Sequence, residues 1–481
     1  MPKSRGRTSG KARTATLIRP LPVSGWAPLP ARVAGYFCIV AILPLSAQLS
    51  QWNCGSMTHH ASSFRNLLPR LIAAQACYYM IVSIDLTLTG LVGMSLAPTP
   101  MLMTLPLSLI VVVGTACSFI AGHAAARFGY RPVMMAGSLT AVVGGVLSAV
   151  AVASQSFTLF CLGTALTGGY RAVGGFLRFV AAEFAPPARR ERALALVMYG
   201  GIIAAALGPF AAVAASKAAE QPFVGSCVLI AILGVGALCL ASSMPPSTGG
   251  GMEINDPAIK IRDRAGNPRF QQAVLVLTGS GLVMTLVMAT GPLANHHVGH
   301  SPALGATMIQ WHLIGMFAPS ALSALFLKKF GVFKTNVAGG FIMASGCALG
   351  IITHSGWAMT VTLALVGVGW NILFVAGSAL LLQSYPQGRG AKLQGFTDGA
   401  TAAISAAGSF AAAGLLQLLG WGGVNALALT TTAAMLAVLA WLTIRTGSRR
   451  SPVHPSSPVA AGTGDQAAVD RSEGAAAGMS S

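Results

Sequence analysis

Residues 71–96 read LIAAQACYYMIVSIDLTLTGLVGMSL, an apolar run in which Asp85 is the single charged residue. About 20 apolar residues are enough for a helix to cross the hydrocarbon core of a bilayer. The rest of the sequence has the same character: 54% of the 481 residues are hydrophobic and 9% are charged, against about 25% charged in a soluble domain. The sequence therefore predicts an all-α membrane protein.

Further runs of the same kind follow this one, and together they predict twelve transmembrane helices. Their Ala and Gly content is typical of helices that approach each other closely through small side chains. The predicted spans are 71–96, 101–125, 132–154, 157–183, 193–216, 222–244, 271–293, 302–327, 335–354, 357–383, 395–418 and 422–444.

The net charge of +19 is explained by the placement of the basic residues. Arginine and lysine cluster before the first span and after each even-numbered span, whereas the alternate loops contain one basic residue, Lys217. Such an asymmetry predicts a multi-pass protein of the inner (cytoplasmic) membrane with both termini in the cytoplasm. The charge therefore indicates orientation in the bilayer and excludes a nucleic-acid partner.

The predicted spans divide into an N-terminal half, 57–244, and a C-terminal half, 271–446, joined by a polar, Gly- and Pro-rich linker at 245–270. The halves resemble each other. Arg-Phe-Gly at 127–129 recurs as Lys-Phe-Gly at 329–331, and Gly-Tyr-Arg at 169–171 recurs as Gly-Trp-Asn at 369–371. Two pseudo-symmetric six-helix halves predict a cavity between them and alternating access by rocking.

The two ends of the sequence do not fit this pattern. Residues 1–56 contain seven basic residues before a short apolar run, 33–49. As a further span this run would place the seven charges outside, and as a cleaved signal peptide it would contradict the predicted orientation. We expect this segment to be either an over-extended start upstream of Met57 or a loosely attached extension. The tail, 447–481, is rich in Ser, Pro, Ala and Gly, a composition typical of disorder.

The loop after the second span carries the first family signature. Its sequence, GHAAARFGYRP at 122–132, resembles the G-x-x-x-D-R-x-G-R-R/K motif of the major facilitator superfamily, and the match of the whole chain to that family covers about 57–446. Gly122, Arg127, Gly129 and Arg131 match the motif. Ala126 stands at the acidic position and Tyr130 at the next basic one.

Two further stretches are similar to motifs of the same family. Arg171-x-x-Gly174-Gly175 in the fourth span resembles a motif with an arginine inside the membrane, and it continues into EFAPPARRERA at 183–193. Gly208-Pro209 resembles part of the glycine-proline motif of proton-coupled exporters. The resemblance implies gating roles for Gly122, Arg127, Gly129, Arg131, Glu183, Arg192, Gly208, Pro209 and Asp398.

Asp85 and Arg171 are charged residues predicted at similar depths in the membrane. At about 1.5 Å per residue they lie ~21 and ~18 Å from the predicted cytoplasmic ends of spans one and four. In the fold of the resembled family both spans line the central cavity, so an Asp85–Arg171 pair is expected. We interpret Asp85 as the proton-coupling site, with Arg171 controlling its protonation; the alternative is a pair that only fixes helix packing.

Other polar and aromatic residues inside the spans are candidates for the cavity wall. Arg178 either extends the basic side of the cavity or reaches back to the interface. His312 is either a hydrogen-bonded packing residue or a substrate contact. Tyr78 and Tyr79 could line the same wall or simply pack. The predicted substrate-binding set is Arg171, Arg178, Tyr170, His312, Trp370 and Asn371.

The missing acid at Ala126 predicts a modified gate. In the resembled family a carboxylate there helps to close the cytoplasmic side across the two halves. We therefore predict that Asp398 faces Arg127 or Arg131 from the other half, with Glu183 bracing the same arginines. The alternative is that Asp398 only stabilises the start of its own helix.

The remaining motifs argue against other classes of function. The sequence has no Walker-type phosphate loop and no nucleophile constellation, so neither ATP-driven transport nor an enzyme is expected, and no cofactor is predicted. The cysteines predict packing residues, and the loop NHHVGH at 295–300 is at most a weak metal ligand.

The predicted function is secondary active transport of a small organic molecule by a monomer in the lipid bilayer, coupled to protons and directed outward. The alternatives are proton-coupled uptake of an organic anion, with Arg171 as its counter-charge, or a transporter-like sensor without flux.

Overall fold

The computed structural model describes residues 59–99, 102–216, 218–245, 261–300, 302–353 and 355–447. Within these ranges every regular element is a helix, which confirms the prediction of an all-α chain. The extension at 1–56, most of the predicted linker and the tail from 448 lie outside the described residues. The described residues up to Leu439 belong to one compact unit, and those from Ala440 belong to a second.

In the described residues of the N-terminal half there are eight α-helices, and a 3₁₀ turn, Pro187–Arg189, lies between the fifth and sixth. They are α1 (His59–Leu96), α2 (Leu105–Phe128), α3 (Tyr130–Ala153), α4 (Phe157–Gly174), α5 (Leu177–Phe184), α6 (Arg190–Val197), α7 (Tyr199–Ser216) and α8 (Val224–Ser242).

The C-terminal half begins with a short helix inside the predicted linker. It comprises α9 (Ile261–Ala265), α10 (Pro268–His297), α11 (Pro302–Phe317), α12 (Ser320–Ile352), α13 (Gly356–Leu382) and α14 (Ala391–Gly447).

Each of the twelve predicted spans falls mainly on helical residues. In the described residues, 8 uninterrupted helical stretches are long and apolar enough to cross a membrane. One of these, Ala391–Arg445, contains two predicted spans joined at Gly420. The other three predicted spans are interrupted. Span four breaks between α4 and α5, span five between α6 and α7, and span eight between α11 and α12.

Glycines in a backbone region closed to other residues connect successive spans. Gly129 (φ 83°, ψ 169°) separates α2 from α3, and Gly331 (φ 75°, ψ 172°) bends α12 at the equivalent point of the other half. This combination of dihedral angles is essentially restricted to glycine. The shared conformation is the physical reason why the glycine of Arg-Phe-Gly at 127–129 recurs in Lys-Phe-Gly at 329–331.

Helix α3 shows how a span divides its faces between lipid and protein. Its exposed large residues, Leu139, Val143, Val146 and Val150, repeat at helical spacing and are all aliphatic. The opposite face is made of small residues, and Gly144 there lies so close to α4 that an added methyl group would come 2.7 Å from the Gly163 carbonyl oxygen. Close approach through small residues is how membrane helices gain packing energy.

Candidate functional site

The Asp85 carboxyl group is buried inside the N-terminal half, with 5% of the residue exposed. The Thr167 hydroxyl, from α4, lies within hydrogen-bonding reach of it, and Arg171 is close enough for its charge to act on it from the next turn of the same helix. The expected direct ion pair with Arg171 does not form. Thr167 therefore occupies the position at Asp85 that the sequence assigned to the arginine.

Arg171 is partly exposed and its aliphatic stem lies along Gly114 of α2. Its backbone carbonyl oxygen accepts a hydrogen bond from the Tyr78 hydroxyl at 3.3 Å. Within the described part of the chain, the guanidinium itself forms no hydrogen bond or ion pair. Arg171 is therefore a cation inside the membrane whose donors are open to a ligand.

The fourth span presents one continuous functional face. Gly175 and Phe176, which separate α4 from α5, both keep helical dihedral angles. Thr167, Arg171, Gly174 and Arg178 consequently follow each other at intervals of three and four residues and lie on one side of the span. Thr167, which lies beside Asp85, and Arg178, which contacts the other half, therefore lie on the same face of the fourth span.

Arg178, which is 4% exposed, joins the two halves at the end of the spans where 128–130, 184–191 and 383–391 lie, here called the linker end. Its Nη2 donates to Asp398 Oδ1 at 2.5 Å and its Nε donates to Ser378 Oγ at 3.1 Å. A further bond runs from Nη1 to the Gly175 carbonyl oxygen at 2.7 Å. The guanidinium also lies 4.3 Å from the ring centroids of Phe179 and Phe374. We call the contact of Arg178 with Asp398 and Ser378 the lock.

The lock corrects the prediction that Asp398 faces Arg127 or Arg131. Arg127 is exposed and its guanidinium lies over the Phe128 ring at 5.2 Å. Asp398 reaches Arg178 because residue 175 is a glycine: a methyl group there would lie 2.8 Å from Asp398 Oδ2. The predicted acid was therefore placed at the right end of the spans but with the wrong cation.

The second prediction about this gate is wrong in the same way. Glu183 lies 3.7 Å from Arg190 of its own half and accepts a hydrogen bond from the Gly388 backbone, so it does not brace Arg127 or Arg131. Its backbone carbonyl oxygen also accepts a bond from Gln387 Nε2 at 2.6 Å. Glu183 thus joins the halves through the 383–391 connection.

Two residues of the motif, Tyr130, which departs from it, and Gly122, which matches it, take part in contacts that sequence reasoning missed. The Tyr130 hydroxyl donates to Gln394 Oε1 at 2.7 Å, and Gln394 Nε2 donates to the Tyr385 hydroxyl at 2.5 Å. Gly122 lies against Gly395 and Ala391, so closely that an added methyl group would come 2.7 Å from the Gly395 Cα. The sequence could have indicated the Gln394 contact, because Gln394 precedes Asp398 by one helical turn and therefore lies on the same face of α14.

A sequence profile of the Major Facilitator Superfamily matches residues 71–397. The protein belongs to the major facilitator superfamily.

Relatives and solved structures agree with this assignment. The chain is 31% identical over 386 residues to the riboflavin transporter RfnT of Brucella anthropi, covering 80% of this chain and 97% of that protein. It is 25% identical over 322 residues to the uncharacterized MFS-type transporter YddS of Bacillus subtilis, covering 63% and 74%.

Among solved structures of the superfamily, the transporter FucP in the outward conformation matches with a TM-score of 0.65 at 12% identity, covering 80% of this chain and 99% of FucP. The human organic anion transporter MFSD10 (TETRAN) matches with a TM-score of 0.63 at 15% identity, covering 79% and 99%. These likenesses show the fold of a superfamily member with twelve helices.

In this superfamily member, most of the predicted cavity set is buried in the present conformation. Tyr170, Arg178, His312, Trp370 and Asn371 are all at most 6% exposed, whereas Arg171 is partly exposed. A ligand in the conformation described here can therefore contact Arg171 but not the other five.

Asn371 and His312 have partners inside the C-terminal half. The Asn371 amide donates to the Met316 carbonyl oxygen at 2.6 Å and to Ser320 Oγ at 3.0 Å, and accepts from Ser323 Oγ at 2.7 Å. These bonds hold the break between α11 and α12. His312 Nδ1 lies 2.8 Å from the Leu363 carbonyl oxygen, so Nδ1 carries the proton and the ring packs against α13.

The remaining predicted gating residues lie in span five. Arg192 is half-buried at the start of α6, near Tyr199. Gly208 packs against α1, where an added methyl group would lie 2.7 Å from Ser83 Oγ. The side chain of Pro209 lies outside the described residues. In the described ranges, no three His, Cys, Asp or Glu side chains are placed to hold a metal ion.

Proposed function

We propose that the protein is a proton-coupled secondary transporter of a small organic molecule, with Asp85 as the proton-binding group. The observation that carries this proposal is a carboxyl group 5% exposed, inside a span, with a hydroxyl and a cation beside it but no ion pair. A charge at a helix centre costs about 2.5–3.5 kcal/mol on insertion scales, so such groups normally serve a pathway.

Thr167 is suited to both protonation states of Asp85. Its hydroxyl donates to the Thr164 carbonyl oxygen at 2.8 Å and also lies in hydrogen-bond contact with Asp85. A hydroxyl has one proton and two lone pairs. It can donate to an ionised Asp85, or donate to Thr164 while accepting from a protonated Asp85, so neither state leaves a polar group without a partner.

The lock supplies the gate of an alternating-access cycle. Arg178, Tyr130, Glu183 and their partners join the halves at the linker end, which we propose is the cytoplasmic side. Rocking of the halves separates these contacts and opens that side while the other closes. We further propose that the protein works as a monomer in the inner membrane with both termini cytoplasmic.

Riboflavin is the first candidate substrate, because a relative 31% identical over 386 residues is named a riboflavin transporter. Its flat ring carries carbonyl oxygens that suit the open donors of Arg171. Export is the proposed direction on the resemblance of Gly208-Pro209 to the exporter motif. Uptake of an organic anion is the second candidate, supported by the unpaired guanidinium of Arg171.

Purified protein in liposomes with an imposed pH gradient tests the proposal. We expect the wild type to move riboflavin against its concentration gradient and Asp85→Asn to lose at least nine-tenths of that accumulation while keeping wild-type thermal stability. Glu220→Gln is the matched control, since Glu220 is an exposed acid in the loop between α7 and α8. The sign of the accumulation in vesicles of known orientation decides between export and uptake.

Two outcomes contradict the proposal. If Asp85→Asn still concentrates substrate, Asp85 is not the coupling group. If the wild type binds riboflavin but never moves it, the transporter-like sensor is the better interpretation.

A further inference from the structure

We infer that Tyr78 transmits the protonation state of Asp85 to the lock, acting as a positioning residue between the two. This inference rests on the proposed role of Asp85. It assigns a function to an aromatic residue that the sequence offered only as a possible cavity wall.

Tyr78 and Asp85 lie on one face of α1. Seven residues separate them, which is two helical turns or roughly 10 Å along the axis. Both side chains contact the same span on the other side: Asp85 meets Thr167, and the Tyr78 hydroxyl donates to the Arg171 carbonyl oxygen at 3.3 Å. A displacement of α1 along span four therefore moves both contacts together.

The Tyr78 ring fills a notch in span four that exists only because residue 174 is glycine. A methyl group at Gly174 would lie 2.0 Å from carbons of the ring. The ring is also held by Tyr79, with centroids 4.9 Å apart, and by the edge of Tyr170 at 5.8 Å. A rigid ring enclosed in this way cannot move without displacing the backbone at Gly174.

Gly174 is followed by Gly175, which positions the lock, and by Arg178, the lock residue of the same half. Gly175 accepts the Arg178 Nη1 hydrogen bond and leaves the space that Asp398 Oδ2 occupies. Arg178 lies one turn beyond the notch. A shift of the backbone at Gly174 therefore changes the position of the guanidinium that holds Asp398 and Ser378.

Several charged and titratable groups face the two ends of this connection. Arg171 and Arg178 of span four and Asp398 of α14 act on Tyr78, together with the neighbouring Tyr79 and Tyr170. At Asp85 the groups are Arg171 and Thr167 of α4 and the Cys227 thiol of α8. Of the two carboxyl groups, Asp398 forms an ion pair with Arg178, whereas Asp85 forms none within the described part of the chain.

The sequence of events follows from these contacts. When Asp85 is ionised, the donated hydrogen bond of Thr167 and the charge of Arg171 hold α1 against span four. Protonation removes the attraction to Arg171, and α1 is free to move relative to span four. The Tyr78 ring carries that movement to Gly174 and so to Arg178.

Spin labels at exposed linker-end positions of the two halves, Ala188→Cys and Lys334→Cys, test the inference by double electron–electron resonance. In the wild type we expect the distance distribution to shift between pH 8.5 and pH 5.5. Tyr78→Leu should abolish the shift and reduce pH-gradient-driven riboflavin accumulation at least ten-fold, with downhill riboflavin exchange kept within two-fold. Tyr78→Phe, which keeps the ring, should retain most of the shift.

Matched variants separate transmission from damage to the fold. Tyr199→Phe removes another buried tyrosine hydroxyl, one without a hydrogen-bond partner in the described residues, and should behave as wild type. Gly174→Ala should reduce the shift by displacing the ring, and adding Gly174→Ala to Tyr78→Leu should cause no loss beyond that of Tyr78→Leu alone.

The outcomes distinguish this inference from the proposed function. A wild-type pH shift that survives in Tyr78→Leu overturns the role of Tyr78. A shift that survives in Asp85→Asn overturns the proton site instead. Absence of any pH shift in the wild type overturns the inference, because there is then no signal for Tyr78 to carry.

Discussion

Arg171 and Arg178 are the same residue type on the same face of one span, yet their surroundings differ completely. Arg178 has three hydrogen bonds and two aromatic rings around its guanidinium. The guanidinium of Arg171 has no hydrogen bond in the described residues. Residue type alone therefore does not decide whether the donors of an intramembrane arginine are satisfied within the fold or left open.

At the residue scale, a double-mutant cycle should show that the lock pairs Asp398 with Arg178. Removing one partner of a buried ion pair costs about 3–5 kcal/mol, because the other charge is left without compensation. We expect Asp398→Asn and Arg178→Gln each to lower the population closed at the linker end, and the double variant to be no worse than the more severe single one. Populations from spin-label distances measure this.

Arg127→Gln is the control for that cycle. Arg127 is exposed and stacks on Phe128, so its effect should simply add to that of Asp398→Asn within about 0.5 kcal/mol. Strong coupling between Arg127 and Asp398, together with additivity for Arg178, would reverse the assignment of the lock.

At the scale of elements, the glycine connections tie helix geometry to the internal repeat. Gly129 and Gly331 occupy equivalent places in the two halves and share one unusual conformation. Two long helices can follow each other with almost no loop because a single residue with positive φ reverses the chain direction locally. The same conformation recurs at Gly420, inside α14.

Gly331→Ala isolates the cost of this conformation. An added methyl group at Gly331 meets nothing within 4 Å, so any loss of stability comes from the backbone. We expect a loss of about 1–3 kcal/mol, the usual cost of such strain. Gly414→Ala, which also meets nothing within 4 Å but lies inside a helix, should instead be neutral or gain up to about 1 kcal/mol. Thermal unfolding of the two purified variants compares them, and equal melting temperatures would contradict the argument.

At the scale of the whole molecule, the lock lies where the internal symmetry relates residues 200 positions apart. Arg178 and Ser378 are such a pair, and they contact each other directly at 3.1 Å. Two symmetry-related residues can touch only near the axis that relates them. The contacts from Tyr130, Glu183 and Glu191 to residues 383–394 join the halves at the same end of the spans.

A reversible cross-link between the two halves at the linker end should stop transport. Glu191 Oε1 and Gln383 Nε2 are 2.6 Å apart, one from each half. Glu191→Cys with Gln383→Cys should therefore be bridged by a short, reducible, bifunctional thiol reagent, which should abolish riboflavin transport, and reduction of the bridge should restore it. Glu220→Cys with Gln383→Cys, with the thiols at opposite ends of the spans, should neither cross-link nor lose activity. Full transport in the cross-linked protein would show that the halves do not separate at the linker end.

The sequence alone determined the twelve spans, the two halves and the superfamily. These properties depend on the number and spacing of residues along one chain, and the free energy of burying an apolar segment is a sum over its own residues. It also placed Asp398 near the start of its helix.

Only the tertiary structure decided which charges meet. Arg127, Arg131 and Arg178 are all near the same end, and the choice between them depends on how each helix is rotated and how closely the halves approach. Gly175 leaves the space that brings Asp398 to Arg178, and Thr167 takes the place beside Asp85 that Arg171 was expected to fill. Such pairings arise from contacts between segments that are distant in the sequence. A small rotation of one helix is enough to change the partner, and the spacing of residues within a segment does not reveal that rotation.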